Sequence, residues 1–390
     1  TCLELASALK SNTSLKNITG LGYNEKGKII LEKSRGFMNL DSLPEINFQL
    51  INVDSYIYRR LDSLGYIGSF SASNVKIFMI NTGRGCPYKC TFCINTHPSQ
   101  KFRFKSTERL FKEINVAVDT FDPDIIYFQD DLFFANRERT LRFLDEYSRK
   151  KYRFKWFTLT RINYFTRDYL SESYLQKIKD SCIWLGMGIE SGSQRIRERL
   201  KKDITEKEIM AAVTILAKYS IHANYAFMVG LPFETNDDMS QTITLIHKIK
   251  KIHPNAEFTY QYYRPYPGGE LYEEALRSGY REPSSLREWS ALHDPDSGFI
   301  PLSKLPWIKN STYINYLLYA IPHSTRNINW DNWLKSCLLY IVKDAFTISL
   351  FLRVKLKFQF CFIELYVWNC LRKMRSFSIK SQLFLKSCLE

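Results

Sequence analysis

The sequence has no long apolar run. In its last third the longest uncharged stretch, residues 310–325, is 16 residues long, contains Pro322 and carries several polar groups. A membrane helix needs ~20 predominantly apolar residues, so no transmembrane span is expected. No signal peptide opens the chain, and its first residue is Thr1 rather than Met, so the sequence reads as a fragment. There is no internal repeat beyond an alternation of strand-like and helix-like segments, and no low-complexity tract. Disulfide density is lacking as well. The nine cysteines of the 390 residues are an odd number; three fall within eight residues, and Cys2, Cys182, Cys337, Cys361, Cys370 and Cys388 are scattered. This pattern excludes a small secreted disulfide scaffold and points to metal binding in a reducing cytoplasm.

Hydrophobic residues make up 45% of the chain and aromatics 15%, enough for large packed cores in two or three units. The net charge of +15 is uneven: from Pro301 onward there are 13 Lys/Arg against 4 Asp/Glu. A basic surface attracts nucleic acid, anionic lipid or an acidic electron donor, but charge singles out none of them. A solvated face is the plainer reading.

Between residues 75 and 280, short β-rich runs alternate with amphipathic helical runs. Strands are predicted at 75–81, 125–129, 154–160, 183–188, 223–229 and 258–263, several of them apolar on both faces as buried parallel strands are. Helices are predicted at 107–121, 137–150 and 206–219. The last opens with the capping box Thr205-Glu206-Lys207-Glu208 and puts Ile209, Val213 and Leu216 on one face. Six strand–helix units imply a parallel sheet with right-handed crossovers, either a partial barrel or an open doubly wound sheet. Upstream, residues 1–33 hold one helix and a hairpin around Asn24-Glu25-Lys26-Gly27. Downstream the signal is mainly helical, although residues 353–360 alternate with period 2 and leave strand or helix open.

The strongest chemical signal follows the first barrel strand: Gly85-Cys86-Pro87-Tyr88-Lys89-Cys90-Thr91-Phe92-Cys93. Three thiolates at this spacing can wrap one corner of an iron–sulfur cubane and leave the fourth iron open. Cys86, Cys90, Cys93 and His97 would alternatively make a closed Cys3His zinc site.

This run resembles the signature of the radical S-adenosylmethionine (SAM) superfamily, with Phe92 at its aromatic position. The resemblance extends over about 200 residues. It implies a partial (β/α)6 TIM-like barrel, an α/β fold, with cluster and SAM at the C-terminal ends of the strands. It implies a [4Fe–4S] cluster on Cys86, Cys90 and Cys93, and reductive SAM cleavage to a 5′-deoxyadenosyl radical. Asp131, with Asp130 second, resembles the element that contacts the SAM amino group; capping of the next helix is the plainer alternative. Glu190, in Gly186-Met187-Gly188-Ile189-Glu190, matches the residue that accepts hydrogen bonds from the SAM ribose. Gly230-Leu231-Pro232 resembles the turn near the adenine, with Phe233 where a glycine is common, and Tyr266-Pro267-Gly268-Gly269 resembles the turn that ends the barrel. Arg161 stands where relatives carry an arginine, as a carboxylate clamp or a surface residue.

Residues 1–35, with Gly20-Leu21-Gly22-Tyr23 and Lys26-Gly27-Lys28-Ile29, resemble the end of a cobalamin-binding domain, and residues 36–74, with Leu40-Asp41-Ser42-Leu43-Pro44, its linker. The domains expected are therefore this short α/β remnant, the linker, a radical SAM barrel over 75–280 and a mainly helical, basic, aromatic-rich region over 281–390. The group resembled most is that of cobalamin-dependent radical SAM methyltransferases and the anaerobic magnesium-protoporphyrin monomethyl ester cyclase. The Asp-x-His-x-x-Gly segment that would supply a cobalamin ligand does not occur, so cobalamin use stays open. The resemblance implies a small-molecule substrate and a reduced flavodoxin- or ferredoxin-like electron donor; nucleic acid is not favoured. A tRNA or protein methylthiotransferase is the enzyme alternative, and a non-catalytic or zinc-stabilised version of the fold the alternative of another class. The residues acting on substrate are not readable.

Overall fold

The computed structural model describes residues 1–50, 52, 57–60, 73–97, 100–166, 169–292, 300–325 and 333–356. The chain divides into two compact units, Thr1–Glu45 and Ile46–Glu390. The first holds helix α1 (Cys2–Lys10) and the antiparallel hairpin β1 (Gly22–Glu25) and β2 (Lys28–Leu31). Its turn is the expected one. Lys26 and Gly27 both have positive φ (52° and 85°), as a two-residue hairpin turn requires, and Asn24 Oδ1 accepts the Gly27 N–H at 2.8 Å.

The second unit is built on a seven-stranded sheet. Its six parallel strands are β4 (Ser73–Ile80), β7 (Ile125–Phe128), β8 (Lys155–Thr160), β9 (Cys182–Glu190), β10 (Ala223–Val229) and β11 (Glu257–Tyr262). They lie side by side in sequence order. A doubly wound sheet reverses its order at a switch point; this one never does, so the chain winds one way as a barrel does. The arc stays open, because β11 and β4 end the parallel series without pairing. Against β4 lies a strand the periodicity did not announce, β3 (Tyr58–Arg60), which runs antiparallel. A short ribbon, β5 (Gly83–Arg84) with β6 (Arg103–Phe104), frames the cysteine loop.

The crossovers are α2 (Thr107–Phe121), α3 (Arg137–Lys150), α4 (Glu172–Ser181), α5 (Gln194–Arg199), α6 (Glu206–Lys218) and α7 (Asn236–Ile252). The Thr205–Glu208 capping box forms, and Thr235 with Asp238 makes a second at the start of α7. All four residues of β7 are buried, with Ile126 and Phe128 in the core that also holds the outer helices and Ile125 and Tyr127 in a smaller inner cluster. In the inner cluster the Tyr127 ring stacks on Phe157, centroids 4.4 Å apart, and Phe157 meets the edge of Trp184. This two-sided burial is why the strands read as continuous apolar runs.

Downstream of the barrel come α8 (Glu270–Arg277), α9 (Leu286–Ala291), α10 (Ser311–Ser324) and α11 (Trp333–Leu356). Helix α10 packs on β11 and α11 on α10. Residues 353–356 are thus helical, while 357–360 lie outside the described residues. Among the described residues no helix is long and apolar enough to cross a membrane.

Candidate active site

The cysteine loop begins where Gly85, at φ +76°, turns the chain so closely past residue 101 that a Cβ would come 2.8 Å from the Lys101 carbonyl oxygen. Only glycine accepts both demands. The loop then docks on the segment after α5. The Thr91 N–H donates to Leu200 O at 3.1 Å and its hydroxyl to Arg199 O at 3.2 Å, while the Cys90 thiol faces Lys201 O at 3.8 Å. From the far end of the sheet the Pro267-Gly268 turn closes on the same loop, and the Leu271 N–H donates to Thr91 O at 3.1 Å. The cysteines therefore sit at the C-terminal ends of the strands, bridging the two edges of the open arc.

Cys90 is buried, and Cys86 and Cys93 are half-buried. Burial pushes the Cys86 and Cys93 thiols up, the neighbouring cysteines add to the rise, and local hydrogen bonds oppose it. Ligation to iron is what would hold such thiols as thiolates. Among the described residues no three His, Cys, Asp or Glu side chains converge closely enough to hold one metal ion. His97 lies instead against Gly268, where a Cβ would come 2.7 Å from its Cδ2. The compact tetrahedral set of a Cys3His zinc site is thus not formed. A cubane spreads its ligands farther apart than a single ion does, and three thiols on one loop, each within electrostatic reach of the others, fit it.

The two aspartates after β7 part company. Asp130 is buried: its Oδ1 accepts the N–H groups of Thr82 (2.6 Å) and Gly83 (2.9 Å), and its Oδ2 accepts the Thr82 hydroxyl. Arg139 donates to the same hydroxyl and lies 3.8 Å from the carboxylate. Asp130 therefore fastens β7 to the turn that launches the cysteine loop, and its oxygens are occupied. Asp131 is exposed, and its charge reaches the Cys93 thiol. Neither acts as the side-chain cap of α3, whose capping oxygen belongs to Asn136.

Glu190 ends β9 at φ +71° and is buried, and its Oε1 lies 2.7 Å from Lys202 Nζ, also buried. Gly188 makes the pair fit: a Cβ there would stand 2.1 Å from Glu190 Oε1 and 2.9 Å from Lys202 Nζ. The Lys202 ammonium also lies 5.8 Å from the centre of the Phe92 ring, so it links the cysteine loop to the end of β9. Sequence reasoning missed Lys202. One lysine among 55 Lys/Arg carries no local mark of burial.

Arg161 is buried and bound on every side. Its Nη1 donates to Cys90 Sγ (3.4 Å), its Nε to Asn163 Oδ1 (3.3 Å) and its Nη2 to the Lys202 carbonyl, and the guanidinium stacks 3.7 Å from the centre of the Tyr88 ring. It is neither a surface residue nor an open clamp.

At the end of β10, Gly230 takes the left-handed turn (φ +73°), so Phe233 causes no strain and its ring carries the Arg199 guanidinium at 3.6 Å. Glu234 folds back, its Oε2 accepting the Gly230 N–H at 2.6 Å, and burial pushes its carboxyl up to about 8. Gly230, Leu231 and Pro232 also line a cavity of about 530 Å³ against Trp307, Ile308 and Tyr313.

A cysteine loop above a one-way parallel arc, with acidic and basic groups gathered at the strand ends, defines a class. Residues 80–246 match the model of the Radical SAM superfamily, so this part of the chain is a radical SAM domain. It is 30% identical over 295 residues to the uncharacterized methyltransferase PH0819 of Pyrococcus horikoshii, covering 75% of this chain and 59% of that protein. With the anaerobic magnesium-protoporphyrin IX monomethyl ester cyclase of Rubrivivax gelatinosus it shares 24% over 202 residues, 52% of this chain and 35% of the cyclase. Among solved structures the fold matches the cobalamin-dependent SAM radical enzyme OxsB with a TM-score of 0.59 at 15% identity. That match covers 96% of this chain and 58% of OxsB. The radical SAM methyltransferase TsrM of Kitasatospora setae matches with a TM-score of 0.53 at 12% identity, over 73% of this chain and 53% of TsrM. The chain spans about half the length of these relatives.

Proposed function

We propose that this chain holds a [4Fe–4S] cluster through Cys86, Cys90 and Cys93 and binds SAM beside it, for methylation or ring or skeleton modification of a small organic substrate. The observation that carries the reading is the docking of the cysteine loop on the Leu200–Lys202 segment, where Cys90 faces the Lys201 carbonyl and the Phe92 ring faces the Lys202 ammonium that pairs with Glu190. The cluster, when bound, supplies the electron for reductive cleavage of SAM.

The chain's own residues do the positioning. Asp131, exposed at the end of β7 within electrostatic reach of Cys93, holds the SAM ammonium. Glu190 accepts hydrogen bonds from the ribose hydroxyls, and Lys202, ion-paired to Glu190, offers its remaining N–H donors to the SAM carboxylate. Phe92 covers this space, and the Gly230-Leu231-Pro232 turn borders the adenine. Asp130 and Arg161 fix the loop from beneath.

The methyltransferase name of the Pyrococcus protein supports methylation, and the cyclase supports ring modification. The fold match to OxsB and TsrM supports a link to cobalamin bound outside the residues present here. A cytoplasmic location and a flavodoxin- or ferredoxin-like donor belong to the same proposal, since reduced thiols and low-potential electrons are needed together. A methylthiotransferase is the second enzyme reading, supported by a relative of that name that also matches this chain.

The test is anaerobic reconstitution with iron and sulfide, followed by metal analysis and a SAM-cleavage assay under reducing conditions. About four irons per chain with release of 5′-deoxyadenosine supports the proposal. A colourless protein holding one zinc, or an iron-loaded protein that never cleaves SAM, sinks it.

A further inference from the structure

A buried arginine normally pairs with a carboxylate. Arg161 has none among the partners described above. Its Nε and Nη2 are tied to Asn163 and to the Lys202 backbone, the Tyr88 ring lies flat beneath it, and Nη1 is left aimed at the Cys90 sulfur. Asn163 in turn donates to the Tyr88 hydroxyl at 3.2 Å, so the support is itself braced. The same guanidinium pulls on the Cys86 thiol. Arginine keeps its charge at any working pH, so this is a fixed positive charge held against the cluster-binding loop.

We propose that Arg161 sets the reduction potential of the cluster on Cys86, Cys90 and Cys93, through its N–H···S bond to Cys90 and its buried charge. This rests on the cluster-binding reading above. The step is a one-electron reduction: a low-potential donor of ferredoxin type loses one electron, the cluster gains it, and the net charge at the site becomes one unit more negative. A hydrogen bond to a ligand sulfur and a fixed cation both favour the more negative state and so raise the potential. Arg161 is here a positioning and tuning residue, and touches neither SAM nor substrate.

The experiment is an EPR-monitored redox titration of the reconstituted chain, comparing wild type, Arg161→Lys and Arg161→Gln at equal iron content. Arg161→Gln should move the midpoint to more negative potential and lower the reduced fraction at any fixed potential. Arg161→Lys keeps the charge but loses the planar fork, and should shift less in the same direction. An unchanged midpoint in Arg161→Gln overturns the inference. Should Arg161→Gln take up no iron, Arg161→Lys decides: a negative shift supports the inference and an unchanged midpoint overturns it. A wild-type chain that takes up no cluster sinks the proposed function instead.

Discussion

Lys202 Nζ and Glu190 Oε1 lie 2.7 Å apart, both buried, in space that Gly188 leaves open. The strand alone would bury a naked carboxylate; the loop twelve positions later supplies its counter-charge. Removing one partner of a buried pair costs about 3–5 kcal/mol. Lys202→Met should therefore lower unfolding stability by several kcal/mol in a denaturant titration, and weaken SAM binding measured by calorimetry. A variant as stable as wild type would show that the pair is solvated.

Gly188→Ala tests the same space without touching a charge. Its Cβ would overlap Glu190 Oε1 and crowd Lys202 Nζ, so SAM affinity should fall about tenfold or more, equivalent to ~1.4 kcal/mol. Iron content after reconstitution should stay at the wild-type level.

The adjacent aspartates should separate cleanly. Asp130→Asn disturbs a carboxylate that accepts two backbone N–H groups and a hydroxyl in the core, so it should lower the melting temperature and the yield of cluster. Asp131→Asn alters an exposed group and should leave melting unchanged while weakening SAM binding. The reverse pattern would exchange the two roles.

Substitution of Cys86, Cys90 or Cys93 by Ala should each abolish SAM cleavage, because the proposed cluster has these three thiolates as its only protein ligands. Glu190→Ala should weaken SAM binding while iron content is kept. Full cleavage in any one cysteine variant contradicts the assignment.

Glu234 makes stability depend on pH. Burial raises its folded pKa to about 8, above the ordinary carboxylate value. The folded state therefore holds a proton that the unfolded state has released. The associated stability is full below the unfolded pKa and is lost as pH rises toward 8. Melting temperature should fall across that window in wild type, and fall less in Glu234→Gln.

The barrel was legible from short-range signals. Helices α2 and α3 lie at their predicted limits, and the six parallel strands within a residue or two, because several strands are apolar on both faces and the helices carry one apolar face. The antiparallel β3 was not legible, since a three-residue edge strand carries too little pattern. The cysteine loop was legible because ligand spacing is local. The separation of Asp130 from Asp131 was not, since two adjacent carboxylates differ only in which one the fold turns inward.

The sequence by itself determined the strand–helix period, the Thr205 capping box, the cysteine spacing and thereby the resemblance to radical SAM domains, all matters of neighbours along the chain. Only the tertiary structure decided that Asp130 turns inward and Asp131 outward, that His97 lies against Gly268, and that Lys202 meets Glu190. It alone brought Arg161 to Cys90, 71 positions away. Burial and charge pairing at such separations depend on how strand ends and loops converge, and no local spacing encodes that convergence.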